Sequence, residues 1–304
     1  MSQEIYDLLV IGEGVSGLSA ANAAARTGLK VATLEARLFG GLVINVNELE
    51  PAPEGAVSGA EFAAELMQAN AELGIASIQE EVTGLTPDGD IKHALTASAS
   101  HSARQMIVAS GAQLRKLGVP GEAEFEGRGV SQCADCDGPM YQGEAVIVVG
   151  GGDSALQEAL VLARFCSTVH LVHRGGSFRA QQHFVDQVNA HPRIATIWNA
   201  TLEQITGSRM VEKVCVKLAG GRVQDIPCAG VFAFIGLTPN SEFLPPQIAR
   251  DDAGFVVTDD QLQTALPGVW AIGAVRSGYS GLLRDAAVEA RNVAERIVKQ
   301  LELD

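Results

Sequence analysis

The sequence has no apolar run of membrane-spanning length; stretches such as residues 145–149 end after a few residues, where a bilayer asks for ~20. Basic charge is scarce, with 22 Lys and Arg against 36 Asp and Glu and a formal net charge of −14. That balance argues against nucleic acid or an anionic membrane surface as a partner. The opening Met1-Ser2-Gln3-Glu4-Ile5-Tyr6-Asp7 lacks a basic segment followed by an apolar one, so no secretory signal is expected. Cysteine is also sparse. The five form an odd set, Cys133 and Cys136 close together and Cys166, Cys215 and Cys228 scattered. A secreted disulfide framework shows an even count in a short chain, so a reducing cytoplasm is expected, with one special pair and three core thiols. There is no second Cys-x-x-Cys and no His-x3-5-His, so half of a zinc site is missing and no metal is expected.

What is present is a repeated unit. At 304 residues the chain fits two domains. Residues 6–11 predict a buried strand, Gly12-Glu13-Gly14-Val15-Ser16-Gly17 a glycine-rich turn, 18–25 a helix and 30–34 a second strand ending at Glu35. In such a β-α-β unit the first glycine makes the tight turn, the second admits a pyrophosphate to the backbone, and the third lets helix and strand pack closely. The helix N-terminus faces the phosphates, and Glu35 stands where an acid accepts ribose hydroxyls. The pattern recurs: 145–149 as strand, Gly150-Gly151-Gly152-Asp153-Ser154-Ala155 as loop, 156–165 as helix, 168–172 as strand. Here the position matching Glu35 is His173, with Arg174 next and Arg179 following. An acid suits a free ribose diol, whereas basic groups suit a 2′-phosphate. The first loop therefore predicts an FAD-like nucleotide and the second NADP(H); the plainer alternative makes Arg174 and Arg179 solvated surface arginines.

Between the units lies Cys133-Ala134-Asp135-Cys136, followed by Asp137. Without further metal ligands the pair reads as a redox dithiol. Asp137 is placed to exchange protons with a departing thiolate; alternatively it forms the turn of Asp137-Gly138-Pro139.

In order along the chain, Gly12 to Gly17, Gly40-Gly41, Cys133 to Gly138, Gly150 to Ala155, His173-Arg174, Arg179-Ala180, Gly236 to Asn240, Pro267 to Gly273 and Arg284 to Ala286 resemble the low-molecular-weight thioredoxin reductase family. The resemblance spans essentially the whole chain. It implies an α/β fold of two Rossmann-like dinucleotide-binding domains, the second inserted into the first. Residues 1–113 and 243–304 would form an FAD domain, and 116–240 an NAD(P)H domain carrying the dithiol. The crossovers near 113–118 and 240–246 would be hinges.

The resemblance also implies site roles. FAD would be held by Gly12, Gly14, Val15, Ser16, Gly17, Glu35, Ala36, Gly40, Gly41, Leu42, Asn45, Val82, Gly111, Gly273, Ala274, Arg284, Asp285 and Ala286. NADP would be held by Gly150, Gly152, Asp153, Ser154, Ala155, His173, Arg174 and Arg179. Cys133 would attack the partner's disulfide, Cys136 would exchange with flavin, and Asp137 would carry the proton. The activity implied is reduction of thioredoxin or a similar small redox protein by NADPH, with NADH possible, in a cytoplasmic homodimer.

Four positions depart from the family pattern: Ala274 for an aspartate, Gly175 for an arginine, and Leu42 and Asp285 for glutamines. Losing the carboxylate at 274 would weaken flavin binding by on the order of 1–3 kcal/mol. The departures keep two other readings open. One is a relative using another electron donor or acting as a dithiol oxidase; the other is a flavin-bound redox sensor without turnover.

Overall fold

Leu8 to Ile11 is an uninterrupted apolar run because strand β1 (Ile5–Ile11) is covered on both faces. Alternate side chains leave a strand on opposite sides. Leu8 and Val10 enter a cluster with Ala20, Ala21 and Ala24 of helix α1 (Val15–Ala25) and with Val293 and Ile297 of helix α6 (Leu283–Leu303). Leu9 and Ile11 enter another with Met106, Val108 and Val256. The computed structural model describes residues 4–46, 49 and 58–303; Met1 to Gln3 of the opening segment lie outside them.

The chain divides into two compact units, one up to Gln113 and again from Thr238, the other Leu114–Leu237. In the first, β1 is flanked by β2 (Val31–Leu34) and β6 (Ser100–Val108), both parallel to it. β3 (Ala76–Ile78) extends the sheet beyond β2, after helix α2 (Gly59–Glu72), and β17 (Val269–Ala271) pairs in parallel with β6. β4 (Gly84–Asp88) and β5 (Ile91–Leu95) complete it as an antiparallel hairpin against β6. Trp270 is buried with its indole N–H donating to Gln105 Oε1 at 3.0 Å, so the one polar atom of that ring is satisfied in the core.

The second unit repeats the plan. β8 (Val130–Ser131), β9 (Ala145–Gly150), β10 (Thr168–His173), β11 (Ile194–Trp198) and β15 (Gly230–Phe234) form an all-parallel sheet in the order 11-10-9-15-8. Val146 and Val148 face Leu156, Ala159 and Leu162 of helix α4 (Asp153–Phe165), with helix α5 (Gln182–Ala190) adding Val188. Ile147 and Val149 face the antiparallel layer of β12 (Thr201–Gly207), β13 (Val211–Lys217) and β14 (Val223–Pro227). The segments linking the units, β7 (Ala112–Leu114) and β16 (Leu237–Pro239), pair with each other.

Of the three cysteines outside the pair, Cys166 and Cys228 are core thiols, pushed by burial up to about 11 and about 12. Cys215 differs from the expectation. It is only half-buried, because Val214 and Val216 take the inward positions of β13 and the strand's alternation turns position 215 outward. Among the described residues no helix is long and apolar enough to cross a membrane.

Candidate active site

β1 gives way to α1 through Gly12, whose φ of +107° is closed to other residues. A Cβ on Gly17 would stand 2.0 Å from the Gly12 carbonyl oxygen. Gly14 is different: a Cβ there meets nothing nearer than the Gly40 oxygen at 4.0 Å, so its backbone faces open space. Gly14 is also the N-cap of α1 and offers no side-chain cap, leaving the first N–H groups of the helix available to an anion.

Gly40 is drawn beside this loop by its N–H bond to the Glu13 carbonyl at 2.7 Å, and Gly41 packs against Gly14. Glu35 braces the same loop, its carboxylate accepting Glu13 N–H at 2.9 Å and Arg37 N–H at 3.0 Å. A carboxylate has further lone pairs for ribose hydroxyls. Glu13 itself was not singled out in the sequence. It is fully buried, with Oε1 accepting the Thr33 hydroxyl at 2.5 Å and Oε2 without a hydrogen-bond partner among the described residues.

Other positions implicated by the sequence gather nearby. Val15 and Ala286 share a core cluster with Val43 and Ala63. Gly273 lies against Ser16, whose Oγ a Cβ at 273 would meet at 2.2 Å. Leu42 and Ala36 are exposed, and Asn45 ends the short helical segment Gly41–Asn45. Val82 packs in the core cluster with Ile11 and Leu34, while Gly111 turns the chain with φ +67°. Arg284 is largely exposed beside Asp285, and Asp285 accepts the Ser280 hydroxyl at 2.5 Å. Next to Ala274, a carboxylate does appear, on α6: Glu289 accepts Gly273 N–H at 2.8 Å and pairs with the Arg276 guanidinium. Both its oxygens are engaged by the protein, so it shapes the turn that precedes position 274.

The second glycine loop has the same open form. Gly152 is the N-cap of α4 without a side-chain cap, and a Cβ there meets nothing within 4 Å. Ser154 in the first turn is exposed and Ala155 is buried under it. The segment after β10 is strapped across this loop. Arg179 N–H donates to the Gly151 carbonyl at 2.8 Å, and the Asp153 carboxylate accepts both Gln181 N–H at 2.7 Å and the Gln181 amide at 2.8 Å. The Gln181 side-chain amide, with its backbone N–H, holds the Asp153 carboxyl below its usual range.

The His173 ring lies beneath the loop, its two nitrogens facing the Gly150 carbonyl at 2.9 Å and the Ser177 carbonyl at 3.0 Å. It sits where side chains at 151 and 175 would go: a Cβ at Gly151 would meet Nδ1 at 2.2 Å and one at Gly175 would meet Nε2 at 3.0 Å. This packing gives a local reason for glycine at 175. Arg174 and Arg179 are both exposed, and neither guanidinium has a hydrogen bond or ion pair among the described residues.

Cys133 and Cys136 form a disulfide with Cα atoms 5.3 Å apart. They frame the single turn α3 (Ala134–Asp137), where Cys133 is the N-cap and its sulfur accepts Cys136 N–H at 3.1 Å. A sulfur in that position is favoured as the thiolate. Cys136 is exposed and Cys133 half-buried. Asp137 ends the turn with its N–H on the Cys133 carbonyl at 3.1 Å, and its carboxylate has no hydrogen-bond partner among the described residues. The carboxyl bonded to this turn is Glu158 of α4, which sequence reasoning missed. Its signal was an acid bordering the buried stripe of Ala155, Ala159 and Leu162.

Two open dinucleotide loops, one followed by an acid and the other by arginines, and one disulfide on the second unit equip a protein to move electrons between nucleotides and a disulfide. The chain matches the family model described as pyridine nucleotide-disulphide oxidoreductase over residues 6–294. It is 38% identical to a thioredoxin reductase of Treponema pallidum, covering 90% of this chain and 89% of that one. With a thioredoxin reductase of Listeria monocytogenes the identity is 34%, over 99% and 98% of the two chains. Its fold superposes on that of Lactococcus lactis thioredoxin reductase with a TM-score of 0.89 at 34% identity, covering 97% and 98%. The chain thus belongs to the pyridine nucleotide-disulphide oxidoreductases and, within them, to the low-molecular-weight thioredoxin reductase family. It is an oxidoreductase acting on disulfides, and the groups its family implies are a flavin and a pyridine nucleotide.

Proposed function

We propose that this protein passes electrons from NADPH, through FAD, to the Cys133/Cys136 pair and from there to thioredoxin or a similar small redox protein. The observation that carries the reading is the Cys133–Cys136 disulfide, held on the same unit as an open, arginine-flanked helix N-terminus. Gly12 to Gly17, Glu35, Gly40 and Gly41 would hold FAD, whose bound flavin accepts hydride and returns an electron pair to a disulfide. Gly14 admits the pyrophosphate to the backbone, and Glu35 receives the adenosine ribose. Gly150 to Ala155 does the same for the coenzyme, with Arg174 and Arg179 on the 2′-phosphate. Cys133 attacks the partner's disulfide, Cys136 resolves the mixed disulfide, and Asp137 carries a proton. Kinship with thioredoxin reductases also supports a cytoplasmic setting and a homodimer.

Anaerobic titration of the flavin-loaded protein with NADPH, then NADH, tests the electron donor. NADPH should bleach the flavin at lower concentration. Arg179→Ala should raise the KM for NADPH about tenfold or more while leaving that for NADH nearly unchanged, as expected for loss of one charge-assisted bond. One observation favours a second reading, a relative that prefers another donor: the His173 ring is already occupied by two backbone carbonyls, leaving two arginines for the phosphate. Failure of both coenzymes to bleach the flavin would select that reading.

At the flavin end, Ala274→Asp should slow FAD loss on dilution, followed by flavin fluorescence. The gain expected from one added charge-assisted bond is about 1–3 kcal/mol, roughly 5- to 150-fold in dissociation constant. Because both oxygens of Glu289 are already engaged, an unchanged loss rate would mean that the ribityl chain needs no acid at 274.

A further inference from the structure

Helix α4 does two jobs in its first turns. It opens with the second glycine loop, and further along it presents a carboxyl that nucleotide binding leaves unexplained. Glu158 Oε2 accepts the Ala134 N–H at 3.0 Å. Ala134 directly follows Cys133, so this bond fixes the peptide joining the N-cap cysteine to its turn. Two residues further on, Cys136 N–H is taken by the Cys133 sulfur at 3.1 Å. A carboxyl oxygen and a sulfur therefore take two N–H groups at the head of a single turn, that of the fully buried Ala134 and that of Cys136.

We propose that Glu158 is a positioning residue of the dithiol: its carboxyl holds the Cys133–Ala134 peptide, and its negative charge restrains ionisation of the Cys133 thiol.

The electrostatics agree with the geometry. Burial pushes the Glu158 carboxyl up to about 7, with the Ala134 N–H opposing that rise and the Asp135 carboxylate adding to it. The elements packed on α4 carry Asp135, Asp137, Tyr141, His170, His173, His183 and Asp186, and of these Asp135 alone acts on Glu158. Reduction of the disulfide to two thiols takes up two electrons and two protons. Formation of the Cys133 thiolate then releases one proton to solvent. Above neutral pH that thiolate forms beside an ionised Glu158; below it, Glu158 is protonated and the opposing charge is gone. The carboxyl and the thiol therefore titrate as a coupled pair.

The inference rests on the dithiol reading above, and its test needs neither coenzyme nor protein partner, so the two can fail separately. The flavin-loaded full-length protein is reduced with dithiothreitol, which supplies both electrons and both protons as it closes to its cyclic disulfide. After the reductant is removed anaerobically, iodoacetamide alkylation is followed against pH, and the modified cysteine is located by fragmentation mass spectrometry. The wild-type Cys133 profile should be shallower than a one-proton curve across neutrality. Glu158→Gln keeps an acceptor oxygen for Ala134 but no charge. Its Cys133 should follow a one-proton curve, reacting about three- to tenfold faster than wild type near pH 8 and at the same rate near pH 5.5. Superposed profiles, or acceleration at Cys136 instead, would overturn the proposal, because a purely structural cap is satisfied by glutamine. Asp135→Asn, at an exposed position, gives an independent reading. It should move the inflection to lower pH, and an inflection that stays in place counts against the proposal.

Discussion

Cys136→Ser should abolish disulfide turnover, by on the order of a thousandfold or more, while flavin reduction by coenzyme stays largely intact. With Cys136 gone, Cys133 can still attack a partner's disulfide, but no thiol remains to release it. The mixed disulfide should accumulate and survive non-reducing electrophoresis when thioredoxin is supplied. Cys133→Ser should be equally dead in turnover and should trap nothing. In that variant Cys136 is left as a free thiol, and its thiolate should give a broad long-wavelength band with oxidised flavin. The band should vanish on acidification with an apparent pKa below the ~8.5 of a free thiol, since only the thiolate donates charge. Trapping by Cys133→Ser together with the band in Cys136→Ser would reverse the two roles. The position of the Cys133 sulfur, accepting Cys136 N–H at the head of α3, is the reason to expect the first order: it favours the thiolate that attacks.

The second large effect separates two glycines of one loop. Gly17→Ala places a Cβ 2.0 Å from the Gly12 carbonyl oxygen, a contact between backbone-fixed atoms that no rotamer change relieves. Overpacking of this kind costs about 1–3 kcal/mol and more where the backbone must move. The flavin-stripped variant should therefore melt well below the wild type. Gly14→Ala meets no protein atom nearer than 4.0 Å, so its flavin-stripped form should melt like the wild type. FAD binding, however, should be lost in both, because the added methyl at 14 stands where a pyrophosphate would approach the backbone. Tight FAD binding by Gly14→Ala would place the phosphates elsewhere; an unchanged melting temperature for Gly17→Ala would mean that the loop yields.

Much of this was legible from local pattern. The run 6–11, the alanine-rich segment after Gly17 and their repetition at 145–165 announce strand, loop and helix because burial on both faces leaves apolar runs and because only glycine fits the turns. The helices begin earlier than the expected 18 and 156, at Val15 and Asp153, because the residues after the glycine N-caps Gly14 and Gly152 already form the first helical turn. Cys215 reads as a core thiol in the sequence but is half-buried, because its face depends on which side of β13 meets the second layer, and a β-period alone does not say which face is inward.

The class of chemistry is written in local motifs: two glycine loops, the acid after one and the arginines after the other, and a cysteine pair with no further metal ligands nearby in the chain. These are short-range signals, each carried by residues a turn or a strand apart. Which side chains are already engaged follows from long-range packing instead. His173 reads as a phosphate ligand in the sequence, yet its ring nitrogens face the carbonyls of Gly150 and Ser177. The engagement of Glu289 with Gly273, and of Glu158 with Ala134, joins residues 16 and 24 positions apart. Such pairings depend on how a helix packs against a distant turn, and hydrogen-bond partners across that distance leave no periodic trace in the chain.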